Sequence, residues 1–148
     1  MFNRFHNRLD ALGQINVIIE TGFSEDVLDL AEYIELSGGV LSSVDLDINS
    51  LNALHKKLED EHLAPFASLH LQEPVRFLLN KTWIDVAFLN HRGGLAAGLE
   101  QAKLAMSAGA RLIVMTRYQS EAAWAVAFVK KQGWAVEHEG DYSFLTRP

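Results

Sequence analysis

Short apolar runs alternate with amphipathic stretches along nearly the whole chain. Residues 15–20, Ile-Asn-Val-Ile-Ile-Glu, form a β-branched run that ends on an acid and breaks at Gly22. A buried parallel strand delivering its carboxyl end to a ligand-binding turn has this signature. A helical pattern follows at once. Ser24 is placed as an N-cap, Val27, Leu28, Ala31 and Ile34 make an apolar stripe, and Ser37-Gly38-Gly39 closes the helix.

The unit then recurs. A second strand is predicted over 40–45, with Asp47 or Asn49 capping a helix whose Leu51, Leu54 and Leu58 share one face. Lys56, Lys57, Glu59 and Asp60 lie on its solvated side. Pro65 precedes a weaker strand over 66–71, and a short helix over 74–79 opens on a proline, which a first turn tolerates. A fourth strand over 83–89 is apolar apart from Asp85. Gly93-Gly94 leads into an alanine- and leucine-rich helix ending at Ser107-Ala108-Gly109. Strand five is expected over 111–115, and a helix over 120–132 should bury Ala123, Val126, Ala127 and Trp124.

The two ends differ from this rhythm. Phe2, Phe5, Leu9 and Leu12 fall at steps of three and four, which predicts a short amphipathic helix within residues 1–14, closed by Gly13. It reads as a packing or dimer element. Residues 134–138 and 142–146 are two extended runs joined by Glu139-Gly140-Asp141, a β-hairpin signal. The expectation is one domain over 1–148, an α/β, Rossmann-like, doubly wound and mostly parallel sheet with helices on both faces and a C-terminal antiparallel hairpin. Ligands in such sheets bind at the carboxyl ends of the strands, where the winding reverses.

Composition narrows the function classes. The 148 residues carry a formal charge of −6 and no cysteine, so neither a disulfide framework nor a thiolate metal site is available. The charge offers nucleic acid and anionic membranes no general attraction. Residues 1–10 lack the apolar core of a signal peptide, and no window suits a membrane span. A soluble cytoplasmic protein is expected.

The candidate chemistry sits at the predicted strand ends. Glu20, Thr21 and Gly22 end the first strand, and Gly22 permits a tight turn with close approach of a ligand. Glu25 and Asp26 occupy the first turn of the next helix, where a dinucleotide site would hold pyrophosphate. Their charge would repel a phosphate and suits a cationic ligand. Asp45 ends the second strand, placed to accept both hydroxyls of a ribose. Asn90 ends the fourth. His91 follows it, either as a general base where a reacting group would sit or as a solvated loop histidine. Arg117 and Tyr118, after strand five, could recognise an anionic or aromatic substrate or simply mark a helix entrance. The remaining histidines have no metal-site spacing.

Glu-Thr-Gly-Phe-Ser, Gly-Gly-Val-Leu-Ser-Ser-Val-Asp-Leu-Asp and Ile-Asp-Val-Ala-Phe-Leu-Asn, with the closing hairpin, together resemble the class I S-adenosylmethionine-dependent methyltransferases. The nearest branch is that of the small-molecule O-methyltransferases. The resemblance runs from about Ile15 to the carboxyl terminus. It implies that Glu20, Thr21 and Gly22 contact the methionine part of S-adenosylmethionine, with Glu20 beside the ammonium. Asp45 would hold the ribose, Leu46 would lie against the adenine, residues 70–73 would flank the base, and Asn90 would complete the cofactor site.

Two departures accompany the resemblance. The family's first loop has two or three glycines, whereas this one has Gly22 alone, followed by Phe23. Where metal-dependent members place acids, this chain reads Asn90-His91 and Thr116-Arg117, which disfavours a hard divalent cation. The expectation is therefore a metal-free methyltransferase acting on a small-molecule acceptor, with the apolar amino-terminal segment as the contact of a homodimer. The competing reading is a methyltransferase-like binding or assembly module without turnover.

Overall fold

A computed structural model describes residues 4–90, 97–116 and 120–148. Its helices are α1 (His6–Asp10), α2 (Asp26–Ser37), α3 (Ile48–Asp60), α4 (Pro74–Leu79), α5 (Ala97–Ser107) and α6 (Ser120–Lys131). Its strands are β1 (Val17–Thr21), β2 (Val40–Asp45), β3 (Ser68–Leu71), β4 (Val86–Leu89), β5 (Leu112–Thr116), β6 (Ala135–Glu139) and β7 (Tyr142–Thr146). They form one sheet in the order β3-β2-β1-β4-β5-β7-β6. The first five strands run parallel. β7 lies antiparallel between β5 and β6, so the hairpin supplies the sheet's last two strands.

The pleat divides the core. Ile18 faces one side with Leu41, Val86 and Phe88, and packs among Phe5, Leu9, Val27, Leu30, Leu54 and Leu58. Its neighbour Ile19 faces the other with Val44, Ala87 and Ile113, under Phe77, Ala102, Ala105, Ala125 and Val129. Thus α1 to α3 cover one face and α4 to α6 the other, and strands buried on both faces read as unbroken apolar runs.

Several boundaries moved for local reasons. Pro65 belongs to a short 3-10 turn over Ala64–Phe66, so β3 starts only at Ser68. β4 starts at Val86, because Asp85 turns away to accept from the amides of Asn16 (2.8 Å) and Val17 (3.0 Å). Trp83 lies outside the strand, 55% exposed, with its ring against Gly109. In α6 the buried stripe is Ala122, Ala125 and Val129, while Ala123 and Ala127 face outward and Trp124 is 65% exposed. Alanines at 122, 123, 125 and 127 leave two adjacent stripes equally apolar in sequence, and packing selected the other one. Asp47 caps α3 by accepting from the amides of Asn49 and Ser50. Ser24 does not cap α2; its hydroxyl is turned to Glu20.

Candidate functional site

The chain winds from β1 to β2 and β3 on one side, then crosses back to place β4 on the other. The winding therefore reverses between β1 and β4, the place where a fold of this kind binds its ligand. The Gly22 amide donates to the Val44 carbonyl (2.9 Å), and the Asn90 amide donates to the Thr21 carbonyl (3.0 Å). The turn after β1 needs two consecutive residues at positive φ, Gly22 at 115° and Phe23 at 50°. Only the first is a glycine. Phe23 accepts a left-handed backbone, which costs on the order of 1–3 kcal/mol, while its ring is buried in the core beneath α2.

Beneath that turn Glu20 is fully buried. One oxygen accepts from Ser43 Oγ (2.5 Å); the other accepts from the Ser24 amide (3.0 Å), Ser24 Oγ (2.7 Å) and Asn90 Nδ2 (3.2 Å). These contacts engage both carboxylate oxygens within the protein. Burial pushes the Glu20 carboxyl above its ordinary range, against the opposing pull of those donors. Its neighbour Thr21 is also fully buried, on the opposite face of the sheet, and donates to Gln101 Oε1 at 2.9 Å. Neither residue offers surface to a ligand in this conformation.

Asn90 joins Glu20 to a second acid. Its Nδ2 also lies 3.0 Å from Ser24 Oγ and 3.2 Å from Asp26 Oδ2. Asp26, at the start of α2, is buried, and its other oxygen accepts from Tyr142 Oη (2.6 Å) and Arg4 Nη2 (2.8 Å). Desolvation and the Asp26 carboxylate push the Tyr142 phenol far above its usual range. The acidic first turn expected of α2 is thus divided. Asp26 faces inward, and Glu25 is exposed and pairs with Lys57.

At the far side of the crevice the carboxyl ends of β2 and β3 lie in register, Asp45 beside Leu71. Asp45 is partly exposed and accepts from the Leu46 amide at 2.8 Å. Around it Leu46 (59%), Ile48 (49%) and Leu71 (47%) expose large apolar side chains, a concentration unusual at strand ends. Glu73 is occupied in capping α4, and His70 packs against Phe77. Glu20 and Asn90 therefore converge directly, and Asp45 stands two strands away from Asn90 with Gly22 between them. His91, Arg117 and Tyr118 lie outside the described residues. Among the described residues no group of three His, Asp or Glu side chains could hold a metal ion.

Ser43, Asp26, Tyr142 and Arg4 escaped the reading of the sequence as site residues. Asp26 was visible only as a charge at a helix start. Tyr142 and Arg4 reach it from 116 and 22 positions away, a convergence with no local pattern.

No family model matches the chain, and no curated protein sequence does. Solved structures do. A methyltransferase from Geobacter sulfurreducens superposes with a TM-score of 0.72 at 14% identity, over 97% of this chain and 76% of its own. An rRNA methylase from Streptococcus thermophilus gives 0.71 at 15% identity, over 96% and 93%. The fold is that of the class I methyltransferases. A Streptococcus mutans protein of this fold, solved in complex with SAH, gives 0.69 at 17% identity and covers 99% of this chain and 100% of its own. Within the fold, no described helix is long and apolar enough to cross a membrane.

Proposed function

We propose that the protein is an S-adenosylmethionine-dependent methyltransferase acting on a small-molecule acceptor without a metal. The observation that carries this reading is the partly exposed Asp45 carboxylate set among the exposed apolar side chains of Leu46, Ile48 and Leu71. A carboxylate suits a ribose diol, and apolar surface beside it suits a purine. These residues fit an adenosine. The SAH carried by a protein of the same fold supports the choice of nucleoside.

Asp45 would hold the ribose and Leu46 the base, while the Gly22 backbone and Asn90 form the wall beyond. Glu20 and Thr21 act from beneath by fixing the turn, and Asp26, held by Arg4 and Tyr142, fixes the Asn90 side chain. When bound, S-adenosylmethionine would supply an electrophilic methyl group on a sulfonium whose neutral thioether is the leaving group. The chain's own contribution is to position two reactants and exclude water. Asn90 and Thr116 stand where metal-dependent members carry acids, which supports transfer without a divalent cation. The formal charge of −6 supports a small acceptor over RNA.

Calorimetry with S-adenosylmethionine and SAH tests the reading. Binding that is lost in Asp45→Ala is expected; no heat at millimolar ligand with folded protein would sink it. Radiolabelled methyl transfer to a panel of small acceptors and to rRNA then decides the acceptor class. A second reading, a binding module without turnover, is favoured by the Glu20 oxygens being filled within the protein. Tight SAH binding with no transfer to any acceptor would select it.

A further inference from the structure

The Asn90 amide has two hydrogens and three acceptors within 3.0–3.2 Å: Ser24 Oγ, Glu20 Oε2 and Asp26 Oδ2. Where it points is therefore set by where those acceptors are held. Glu20 is fixed by the strand beneath it and by Ser43. Asp26 is fixed from outside the crevice. Arg4 Nη2 and Tyr142 Oη both donate to Asp26 Oδ1, Arg4 Nη1 donates to Tyr142 Oη (2.9 Å), and Arg4 Nε donates to Asp29 (2.8 Å). The guanidinium also lies 5.2 Å from the Phe5 ring and 5.7 Å from the Tyr142 ring. With Oδ1 taken by two donors, Oδ2 is left turned to Asn90.

Arg4 further offsets the charge of the buried Asp26 carboxylate, which shares the Asn90 amide with Glu20 and would be costly to bury without a cation. The clip thus joins four elements that are remote in sequence: the segment before α1, the start of α2, the end of β4 and the start of β7. Its inner end bears on the crevice wall, because the Asn90 backbone lies against Gly22 closely enough to crowd a Cβ there.

We propose that Arg4 and Tyr142 are positioning residues that act through Asp26 to fix Asn90, and so set the affinity of the crevice between β1 and β4 for its ligand. The proposal rests on the methyltransferase reading for the ligand's identity, SAH, but not for the clip itself. A purely architectural role would lower thermal stability and leave binding alone.

The test uses Tyr142→Phe, Arg4→Met, their combination and Arg4→Lys in the full chain. Tyr142→Phe keeps the ring against Phe5 and Phe144 while removing the hydroxyl. SAH affinity by calorimetry is expected to fall about three- to tenfold in each single variant, and in the double variant by clearly less than the product, because both act through one carboxylate. Arg4→Lys should recover part of the loss. SAH affinity within twofold of the wild type in folded Tyr142→Phe and Arg4→Met would overturn the proposal; if Arg4→Met does not fold, Tyr142→Phe decides alone. Should the wild type bind no SAH, the functional reading fails and the clip is judged by nuclear magnetic resonance. The Asn90 side-chain amide signals, identified by their loss in Asn90→Asp, should then shift and exchange faster in Tyr142→Phe. Unchanged signals would overturn the clip.

Discussion

The carbonyl oxygen of Asn90 lies 3.0 Å from where a Cβ on Gly22 would stand, with the Asn90 carbonyl carbon at 3.2 Å and its Cβ at 3.3 Å. The turn after β1 and the end of β4 thus touch backbone to backbone, at a φ of 115° that L-residues rarely adopt. Gly22→Ala should destabilise the fold by about 2–4 kcal/mol through strain and contact together. Urea denaturation measures it. Because the contact forms the crevice wall, SAH affinity should fall as well; a stable Gly22→Ala protein with unchanged affinity would dissociate this glycine from the site.

Glu20 gives a pH dependence of definite sign. Its folded pKa is raised above the ordinary 4.5 by burial, so the folded chain holds this proton more tightly than the unfolded one. Its stabilising contribution is fully present below pH 4.5 and is lost as pH rises through the folded value. Glu25, Asp47 and Glu137 shift the opposite way, but they are common to wild type and variant. Glu20→Gln cannot titrate, so relative to wild type it should become progressively more favourable from pH 4 to pH 8. Urea midpoints across that range test this, and a difference that does not change with pH would contradict it.

Much of this architecture is legible along the chain because strand and helix periods switch cleanly. The bounds Val40–Asp45 and Pro74–Leu79 coincide with the apolar runs and the proline that announce them. Ambiguity entered where composition repeats, as with the alanines of α6, and where one polar residue had a structural duty, as with Asp85 before β4. In the site, Asp45 is readable since an acid ending a buried run must lie at a strand terminus. The enclosure of Glu20 is not, because Ser43 and Asn90 reach it from 23 and 70 positions away. Side-chain networks between strands leave no period in sequence.

Thr21 and Gln101 form a buried pair, and among the described residues Gln101 Nε2 has no hydrogen-bond partner. Thr21→Val would leave both ends of that amide unsatisfied, at a cost of about 1–3 kcal/mol. Adding Gln101→Leu removes the orphaned groups altogether, so the double variant should match or exceed the wild type in thermal stability. A double variant less stable than Thr21→Val would refute the account of the pair.

Asp85 separates stability from binding. Its side chain is buried, holds the Asn16 and Val17 amides, and lies 3.4 Å from Arg111 Nη2. Arg111 in turn donates to the carbonyls of Leu12 (2.7 Å) and Gln14 (2.6 Å), fastening the segment that leads into β1. All these contacts lie at the amino ends of β1, β4 and β5, across the sheet from the crevice. Asp85→Ala strands two backbone donors, which should cost about 2–4 kcal/mol. At a temperature where the variant remains folded, its SAH affinity should equal that of the wild type. A loss of affinity there, with the fold intact, would mean that the register of β1 against β4 is itself tuned from the amino edge of the sheet.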